Sequence, residues 1–445
     1  AGDNDAVLAE ALTINANVNI ASTSGDVLLQ SGDDITMAAG TGVISAGGGD
    51  IWMYAGHDND TDGGITVTAA AVIGSGAENL VMGAKETINV NTNVATVTGA
   101  TTGPAAPITI TDAGTLQINS LTTANGDITV TATGATTVAG NVSAPANDIW
   151  LTSGGFINQT AGAITGDTLR FNAAGYVTMM SATNDVNNLA GATSAAGAIQ
   201  FRDIDDLTIG TASGLTGLAS NSNSNISVQT GGDLTLNQNI NAGTGVIEFI
   251  SGGYINQTAN TITAGSLRFT AGGYAEMYQN NDVNTLAGAT TAGPIRFFDT
   301  DDLIIGSVTG TWGTTAGLTT ANNNITVTSG AALTVNNPVT TASTSAGTVT
   351  LTANTGNLTL NNSVTGGIVD LNAVTGNVNE AVAAGVVLAD SLRVRAATGA
   401  TMNQANDVNT LAANITGAGN FTFNDLDDLA VGTVLGTNGI VTANG

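Results

Sequence analysis

The sequence contains no cysteine, one histidine (His57) and one lysine (Lys85). Without cysteine there is neither a disulfide framework nor a thiol nucleophile. A single histidine in a chain without cysteine leaves no ligand set for zinc and argues against a Ser-His-Asp triad. No glycine-rich phosphate loop ending in Lys-Ser or Lys-Thr is present either. We therefore predict a protein that is not an enzyme and requires no cofactor.

Charge and aromatic residues are also scarce. Charged residues make up 9% of the chain and aromatic residues 4%, and 34 acidic residues outnumber seven basic ones to give a formal net charge of −27. Such a surface repels nucleic acid and anionic lipid, so neither is an expected partner. No apolar run approaches the ~20 residues of a membrane-spanning helix, so we expect no membrane insertion. A chain without cysteine also suits folding outside the cell, and we predict an extracellular protein.

The sequence does contain a long internal repeat. Two clear copies cover 154–210 and 252–306, and they begin GGFINQTAGAITGDTLRF and GGYINQTANTITAGSLRF. Each copy continues through an Asn-Asp-Val-Asn motif and Leu-Ala-Gly, and then ends in an aromatic and acidic segment. A looser third copy covers 391–432. Self-similarity of this kind indicates an array in which each unit buries its apolar face against its neighbours.

Within the repeats, apolar residues alternate with Thr, Asn and Ser over short segments that end in Gly-Asp or Gly-Asn. This pattern is typical of short strands joined by tight turns. We predict an all-β fold, an elongated parallel β-helix (β-solenoid) with internal repeats of about 97 residues and coils of about 24 residues. A β-sandwich or a β-propeller is the competing fold.

The predicted organisation is one continuous β-solenoid over residues 1–445. Near-duplicate segments, ALTVNNPVTT and NLTLNNSVTG, indicate that coils have been inserted in its last part. The approximate internal units are 1–50, 51–148, 149–246 and 247–445.

One segment resembles half of a calcium-binding loop. Asp58, Asp60 and Asp62 stand at alternate positions before a glycine, as in the first half of a D-x-D-x-D-G loop, where carboxylates converge on a hard cation. The twelfth position of that loop, a bidentate glutamate in an EF-hand, is Ala69 here. We therefore predict a loop-type calcium site at these three aspartates, with a solvated acidic turn as the alternative.

The acidic ends of the three repeat copies are further candidates for metal binding, because residues two apart on a strand share a face. A structural turn, in which each first aspartate bonds nearby backbone, is the preferred interpretation. The paired aspartates are Asp203 and Asp205, Asp299 and Asp301, and Asp425 and Asp427.

Five of the six arginines recur at repeat positions, and we expect them to pair with aspartates on the same or the next coil. They are Arg170, Arg202, Arg268, Arg296 and Arg393.

The two ends of the sequence fall at nearly the same phase of the repeat. GIVTANG at 439–445 matches the residues that elsewhere precede a DITV-type strand, and the N-terminal residues resume near that strand. Neither end shows a polar cap, and an uncapped solenoid end is an open strand edge. We expect either a longer array or terminal coils that stack head to tail. A head-to-tail contact that does not close on itself generates a filament.

The repeats, of which NDVNTLAANITGAGNFTFNDLDDLAVG is an example, resemble the stalk region of filamentous-haemagglutinin-like bacterial surface proteins. The resemblance extends over most of the chain from about residue 120. It implies a right-handed parallel β-helix that is secreted and serves in adhesion or as a cell-surface fibre. The Asn-Pro-Asn motif of the secretion domain of such proteins is missing, so the resemblance is to the stalk alone.

The favoured function is therefore a non-enzymatic structural protein, a rigid β-solenoid that stacks end to end into a cell-surface or extracellular-matrix filament with an adhesive role. Its expected partners are other copies of itself, and glycans or a host cell surface. One alternative is a glycan-binding adhesin stalk without self-assembly, and a less favoured one is a polysaccharide-cleaving β-helix enzyme. The aromatic residues proposed for glycan contact are Tyr254, Tyr274, Tyr278 and Trp312.

Overall fold

The computed structural model describes residues 10–57, 61–68 and 70–443. All regular secondary structure in these ranges is β-strand. No helix in them has the length and apolarity needed to cross a membrane. The chain divides into two compact units, Ala1–Ser222 (unit 1) and Asn223–Gly445 (unit 2). Each unit is a parallel β-solenoid, as the sequence predicts.

The strands of unit 1 are short, and several run through a corner of the coil. They are Leu12–Ile14 (β1), Ile20–Ala21 (β2), Val27–Gln30 (β3), Ile35–Met37 (β4), Val43–Ser45 (β5), Asp50–Tyr54 (β6), Ile65–Val67 (β7), Val72–Ile73 (β8), Asn79–Ala84 (β9), Ile88–Thr92 (β10), Thr96–Pro104 (β11), Ile108–Asp112 (β12), Leu116–Asn125 (β13), Ile128–Ala132 (β14), Thr136–Val138 (β15), Val142–Ser153 (β16), Ile157–Gln159 (β17), Ile164–Ala173 (β18), Val177–Met179 (β19), Asp185–Ala196 (β20), Ile199–Arg202 (β21), Leu207–Ile209 (β22), Thr211–Ala212 (β23), Leu215–Thr216 (β24) and Leu218–Asn221 (β25).

The strands of unit 2 are also short, and several run through a corner of the coil. Its strands are Ile226–Thr230 (β26), Leu234–Leu236 (β27), Ile240–Asn241 (β28), Val246–Ser251 (β29), Ile255–Gln257 (β30), Ile262–Ala271 (β31), Ala275–Thr290 (β32), Ile295–Asp299 (β33), Leu303–Ile305 (β34), Ser307–Gly310 (β35), Gly313–Ala316 (β36), Leu318–Thr320 (β37), Ile325–Ser329 (β38), Leu333–Val335 (β39), Val339–Thr340 (β40), Thr348–Ala353 (β41), Leu358–Leu360 (β42), Val364–Ala373 (β43), Asn377–Glu380 (β44), Val387–Ala396 (β45), Gly399–Ile415 (β46), Phe421–Asp425 (β47), Ala430–Val431 (β48), Thr433–Val434 (β49), Thr437–Asn438 (β50) and Ile440–Thr442 (β51).

The coils stack in parallel register with like residues opposite each other. Ile88, Ile108, Ile128 and Ile149 form one such column in unit 1, so a coil there takes 20 or 21 residues. The expected coil of about 24 residues is too long for these coils. Other coils are longer because residues are inserted between their strands: the step from Ile35 to Ile65 takes 30 residues, and the step from Gly288 to Leu318, which includes a β-hairpin, also takes 30.

The core follows from the two-residue period of a strand. In β14 the inward residues are buried and the outward threonines are partly exposed, because successive side chains point to opposite faces. The five largest fully buried side chains are all phenylalanine: Phe171, Phe201, Phe249, Phe269 and Phe297.

Side-chain volume is balanced between neighbouring coils. Phe269 lies opposite Gly288, and a Cβ at this glycine would stand 2.1 Å from the phenylalanine ring. In the third repeat copy the equivalent pair is Val394 and Ala413. The Leu-Ala-Gly of the repeat therefore ends in glycine where the preceding coil presents a ring, and in alanine where it presents a smaller side chain.

The three hairpins, β23–β24, β35–β36 and β49–β50, are the antiparallel sheets of the described residues. Each is inserted at the same point of a repeat copy, directly after the strand that follows the acidic segment. Each folds back onto the outer face of coils that precede it. They are the elements that break the regular solenoid.

Candidate functional sites at the repeat corners

The predicted calcium loop falls largely on residues that the structure does not describe. Asp58, Asp60 and Ala69 lie outside the described residues. Asp62 is described and interacts with another residue. In the described ranges, no group of three or more His, Cys, Asp or Glu side chains is placed to hold a metal ion. Calcium binding at this loop stays a prediction from the sequence.

The acidic ends of the repeat copies form turns. In unit 2, Asp299 accepts hydrogen bonds from the backbone N–H of Val283 at Oδ1 (2.8 Å) and of Asp301 at Oδ2 (3.2 Å). The first bond reaches the preceding coil and the second closes the turn locally. The preferred interpretation as a structural turn is confirmed. The equivalent bonds are Val186 to Asp203 (3.1 Å), Asp205 to Asp203 (3.3 Å), Val408 to Asp425 (3.1 Å) and Asp427 to Asp425 (3.4 Å).

Burial changes the acidity of these turn carboxyls. It raises the pKa of Asp299 to about 7, and the nearby Asp301 carboxyl adds to the rise. The pKa of Asp203 is raised to about 7 for the same reasons, with Asp205 as the neighbour. Burial also raises the pKa of Asp425. Both oxygens of such a carboxyl accept hydrogen bonds from backbone N–H groups, and its pKa is raised by burial. We interpret it as a group that forms the turn. Metal ligation by the six paired aspartates stays a prediction.

A buried asparagine holds the corner that precedes each acidic turn. The Oδ1 of Asn281 accepts hydrogen bonds from the N–H of Ile262 (3.0 Å) and from Nε2 of Gln257 (2.8 Å). Its Nδ2 donates to Gln257 Oε1, Met277 O and Phe298 O, each at 3.1 Å. We call this arrangement the Asn–Gln lock, because it joins three successive coils.

The lock recurs in the other repeat copies. In unit 1, Asn184 Oδ1 accepts from Ile164 N–H (2.9 Å) and Gln159 Nε2 (2.8 Å). In the third copy, Asn406 has the place of the asparagine and Glu380 has the place of the glutamine. Sequence reasoning missed these residues. The available signal was that the Gln of INQT and the first Asn of NDVN occur together in the first two copies, about one coil apart.

The hairpin β35–β36 covers a buried ion pair on the outer face of unit 2. Arg268 Nη1 pairs with Glu248 Oε1 on the preceding coil, and Arg268 Nε donates to Thr315 Oγ1 of the hairpin (2.9 Å). The N–H of Trp312 donates to both carboxylate oxygens of Glu248, at 3.3 and 3.2 Å. The hairpin therefore satisfies charges that it removes from water.

The hairpin β49–β50 covers a second pair. Arg393 donates from Nε to Asp370 Oδ1 (2.8 Å) and from Nη2 to Asp370 Oδ2 (2.6 Å). Its Nη1 donates to the carbonyl oxygen of Leu435 in the hairpin (2.7 Å). The hydrogen bonds to Asp370 raise the pKa of Arg393, and Arg395 also donates to Asp370 (3.0 Å).

Three of the arginines pair with an acid on a neighbouring coil; the partner of Arg393 is an aspartate, as expected, whereas the partners of Arg268 and Arg296 are glutamates. Arg268 and Arg393 form the covered pairs, and Arg296 pairs with Glu276 on an exposed face. At Arg170 the position of the acid is occupied by Trp150. Arg170 Nε and Trp150 Nε1 are both buried without a hydrogen-bond partner.

The aromatic residues proposed for glycan contact lie mostly against other side chains. Tyr254 and Tyr274 stack on each other at 4.9 Å between ring centroids. Tyr278 is exposed, with the guanidinium of Arg296 5.0 Å from its ring centroid. Trp312 is half-buried in the hairpin that covers Glu248. Of these four residues, Tyr278 is the one with an exposed side chain.

The last described coil has an uncovered edge. Its strands β47, β48 and β51 pair with β46 on one side and with no strand of the described residues on the other. Val431 is 57% exposed and Ile440 is 42% exposed. Their repeat equivalents, Ile305 and Leu318, are 0% exposed because another coil covers them. The edge thus presents core residues to solvent.

The described residues therefore offer acidic turns, hydrogen-bonded locks, covered ion pairs and an open strand edge. These features and the repeat are the basis for assigning a function. Compared with known proteins, the chain matches no protein-family model, no curated protein and no solved structure.

Proposed function

We propose that this chain is a non-enzymatic structural protein whose coils continue from one copy to the next, forming a filament at the cell surface or in the extracellular matrix. The observation that carries the proposal is the register of the stacked coils, in which apolar residues of successive parallel strands lie opposite each other. Val431 and Ile440 occupy inward-facing positions of this register, which the repeat buries wherever a further coil is present.

The repeat itself provides a template for the junction. Within unit 2, β34 pairs in parallel with β39, with Leu303 opposite Leu333 and Ile305 opposite Val335. The segment Leu429–Val431 corresponds to β34. In the first coil, ALTIN at 11–15 corresponds to ALTVN at 332–336, which contains β39. In the proposed filament, Leu429 of one copy therefore lies opposite Leu12 of the next copy, and Val431 lies opposite Ile14.

The edges on both sides of this junction are open in the described residues. Strand β1 pairs with β4 on one side alone, and β48 pairs with β46 on one side alone. Unpaired N–H and C=O groups of a strand edge form a template for another strand. Because the two edges are different surfaces, the contact is head to tail and does not close. Repetition of that contact produces a filament.

The extracellular location and an adhesive role belong to the same proposal. They rest on the resemblance of the repeats to filamentous-haemagglutinin-like stalks, on the lack of cysteine and on the net charge of −27. The acids that could have served in catalysis support a structural role, since Asp203 and Asp299 have both carboxyl oxygens on backbone N–H groups.

Electron microscopy and sedimentation of the purified chain test the filament. We expect filaments that lengthen with protein concentration. Val431→Asp places a charge in the junction and should abolish them. The matched control is Val374→Asp, since Val374 is also exposed (50%) but lies on a side face of the solenoid. Dispersed single molecules of the unmodified chain at high concentration, or equal loss with both variants, would overturn the proposal.

A second candidate function, glycan binding without assembly, is favoured by one observation. The exposed ring of Tyr278 lies beside the guanidinium of Arg296, a combination that suits a sugar face and a carboxylate. A glycan-binding screen of the chain and of Tyr278→Ala tests it. No bound glycan, or equal binding by both proteins, would contradict this candidate. Incubation of the same glycans with the chain, followed by analysis of their length, tests for cleavage.

A further inference from the structure

Glu380 stands where the other two repeat copies have glutamine. It is the last residue of β44, opposite Leu360 of the preceding coil, and it is 6% exposed. The equivalent residues are Gln159 and Gln257, in the motif INQT. A buried carboxyl in place of an amide changes which hydrogen bonds the position can make.

The glutamine of the lock uses both ends of its amide. Gln257 Nε2 donates to the carbonyl oxygen of Asn260 (3.0 Å) and to Asn281 Oδ1 (2.8 Å). Its Oε1 accepts from Gln279 N–H (3.4 Å) and from Asn281 Nδ2 (3.1 Å). Gln159 makes the corresponding bonds in unit 1. The position therefore requires a donor on one side and an acceptor on the other.

Glu380 supplies the acceptor but lacks a donor when it is ionised. Its Oε2 accepts from Gln404 N–H (2.7 Å), as Gln257 Oε1 accepts from Gln279. Its Oε1 is buried without a hydrogen-bond partner. This oxygen has the place of the glutamine Nε2, which in the other copies donates to the asparagine oxygen.

Both ends of the partner asparagine's amide already hold other hydrogen bonds. Asn406 Oδ1 accepts the N–H of Val387 (2.7 Å), so the amide oxygen is fixed as an acceptor. Asn406 Nδ2 donates to the carbonyl oxygens of Gln404 (3.3 Å) and Asn424 (3.1 Å). An ionised Glu380 would thus keep one buried carboxylate oxygen without a donor, which disfavours the ionised form.

We propose that Glu380 is a proton-binding site, which carries its proton in the folded protein and donates it in a hydrogen bond to Asn406 Oδ1. The protonated carboxyl then reproduces the glutamine of the other locks. The lock of the third copy is closed when Glu380 is neutral and loses a hydrogen bond when it ionises. This proposal is independent of filament formation.

No charged side chain supports the ionised form. Burial raises the pKa of Glu380 to about 7, against the opposing effects of the Gln404 N–H and the Asn406 side chain. The strand β42 carries no titratable residue. The charged residues of β43, β45, β46 and β47 do not contribute to the pKa of Glu380. They are Asp370, Asp390, Arg393, Arg395, Asp407 and Asp425.

The direction of the pH dependence follows. In the unfolded chain Glu380 ionises near its ordinary pKa of 4.5, whereas in the folded chain it keeps the proton to about pH 7. Its stabilising contribution is therefore fully present below pH 4.5, is lost as the pH rises from there to about 7, and stays absent at higher pH.

The variant Glu380→Gln supplies the donor at every pH. In the full chain at pH 8 we expect an unfolding equilibrium constant of unit 2 about 300-fold smaller than that of the unmodified chain, a factor set by the difference between pKa 4.5 and about 7. At pH 4 the two proteins should be equally stable. Other carboxyls that titrate near neutrality, such as Asp299, are common to both proteins and cancel in the comparison.

Two further measurements make the result decisive. Gln257→Glu moves the carboxyl into the second lock and should introduce the same loss of stability between pH 5 and 7. Isotope-edited infrared spectroscopy of the unmodified chain at pH 5.5 should show the carbonyl band of a protonated glutamate that Glu380→Gln removes. An ionised Glu380 at that pH, or an unchanged pH profile of stability in Glu380→Gln, would overturn the proposal.

Discussion

The ion pair under the hairpin β35–β36 tests how much a buried charge pair contributes to the stability of this solenoid. Glu248 is 0% exposed and the side chain of Arg268 is 9% exposed, whereas the side chains of the pair Arg296–Glu276 are 48% and 37% exposed. Arg268→Met leaves the Glu248 carboxylate buried, with the Trp312 N–H as a donor but without its cation. Removing one partner of a buried pair costs about 3–5 kcal/mol. Urea denaturation followed by linear extrapolation measures the loss.

The exposed pair is the matched control. Arg296→Met should cost about 0–1 kcal/mol, because solvent screens an exposed pair. The double variant Glu248→Leu/Arg268→Met removes both charges together, so it should recover most of the loss caused by Arg268→Met alone. The reasoning would be refuted by equal losses from Arg268→Met and Arg296→Met. It would also be refuted by a double variant that is less stable than Arg268→Met.

Three further predictions concern the repeat and its acids. Gly288→Ala should destabilise unit 2 by about 1–3 kcal/mol, because its Cβ meets the ring of Phe269. Adding Phe269→Val reproduces the Val–Ala pair of the third copy, and thermal unfolding should then show that part of the lost stability is recovered. Asp301→Asn should lower the pKa of Asp299 in a carbon-13 titration and raise stability above pH 7, since the carboxyl of residue 301 contributes to the raised pKa; an unchanged pKa would contradict this. Millimolar calcium should raise the melting temperature, and Asp62→Asn should reduce that shift, if the predicted loop binds the ion.

Strand formation, the parallel solenoid and the acidic turns follow from local patterns. Alternation of apolar and polar residues assigns each side chain to a face, and glycine with Asp or Asn marks the turns. The recurrence of Asp203, Asp299 and Asp425 at one repeat position was enough to predict a turn, because an aspartate can bond backbone within two residues of itself. These features depend on residues close together in the chain.

The hairpins show where local pattern fails. Residues 307–316 alternate apolar and Thr positions like any other strand of this chain, yet they fold back as β35–β36 over Glu248. Gly310 and Gly313 flank its two-residue turn, but glycine also marks the turns between coil strands. What the segment does not show is the surface on which the hairpin packs, which comes from earlier coils and includes the Glu248–Arg268 pair.

The sequence alone therefore determined the repeat, the strand faces and the turn residues, since these depend on neighbours along the chain. The tertiary structure decided which residues one coil apart meet: Gln257 with Asn281, Glu248 with Arg268, and Glu380 with Asn406. Such partners are about 20 to 26 residues apart in the sequence, and a shift of register by one residue would turn every side chain to the other face. Stacking fixes that register, and with it the partner that each buried polar side chain meets.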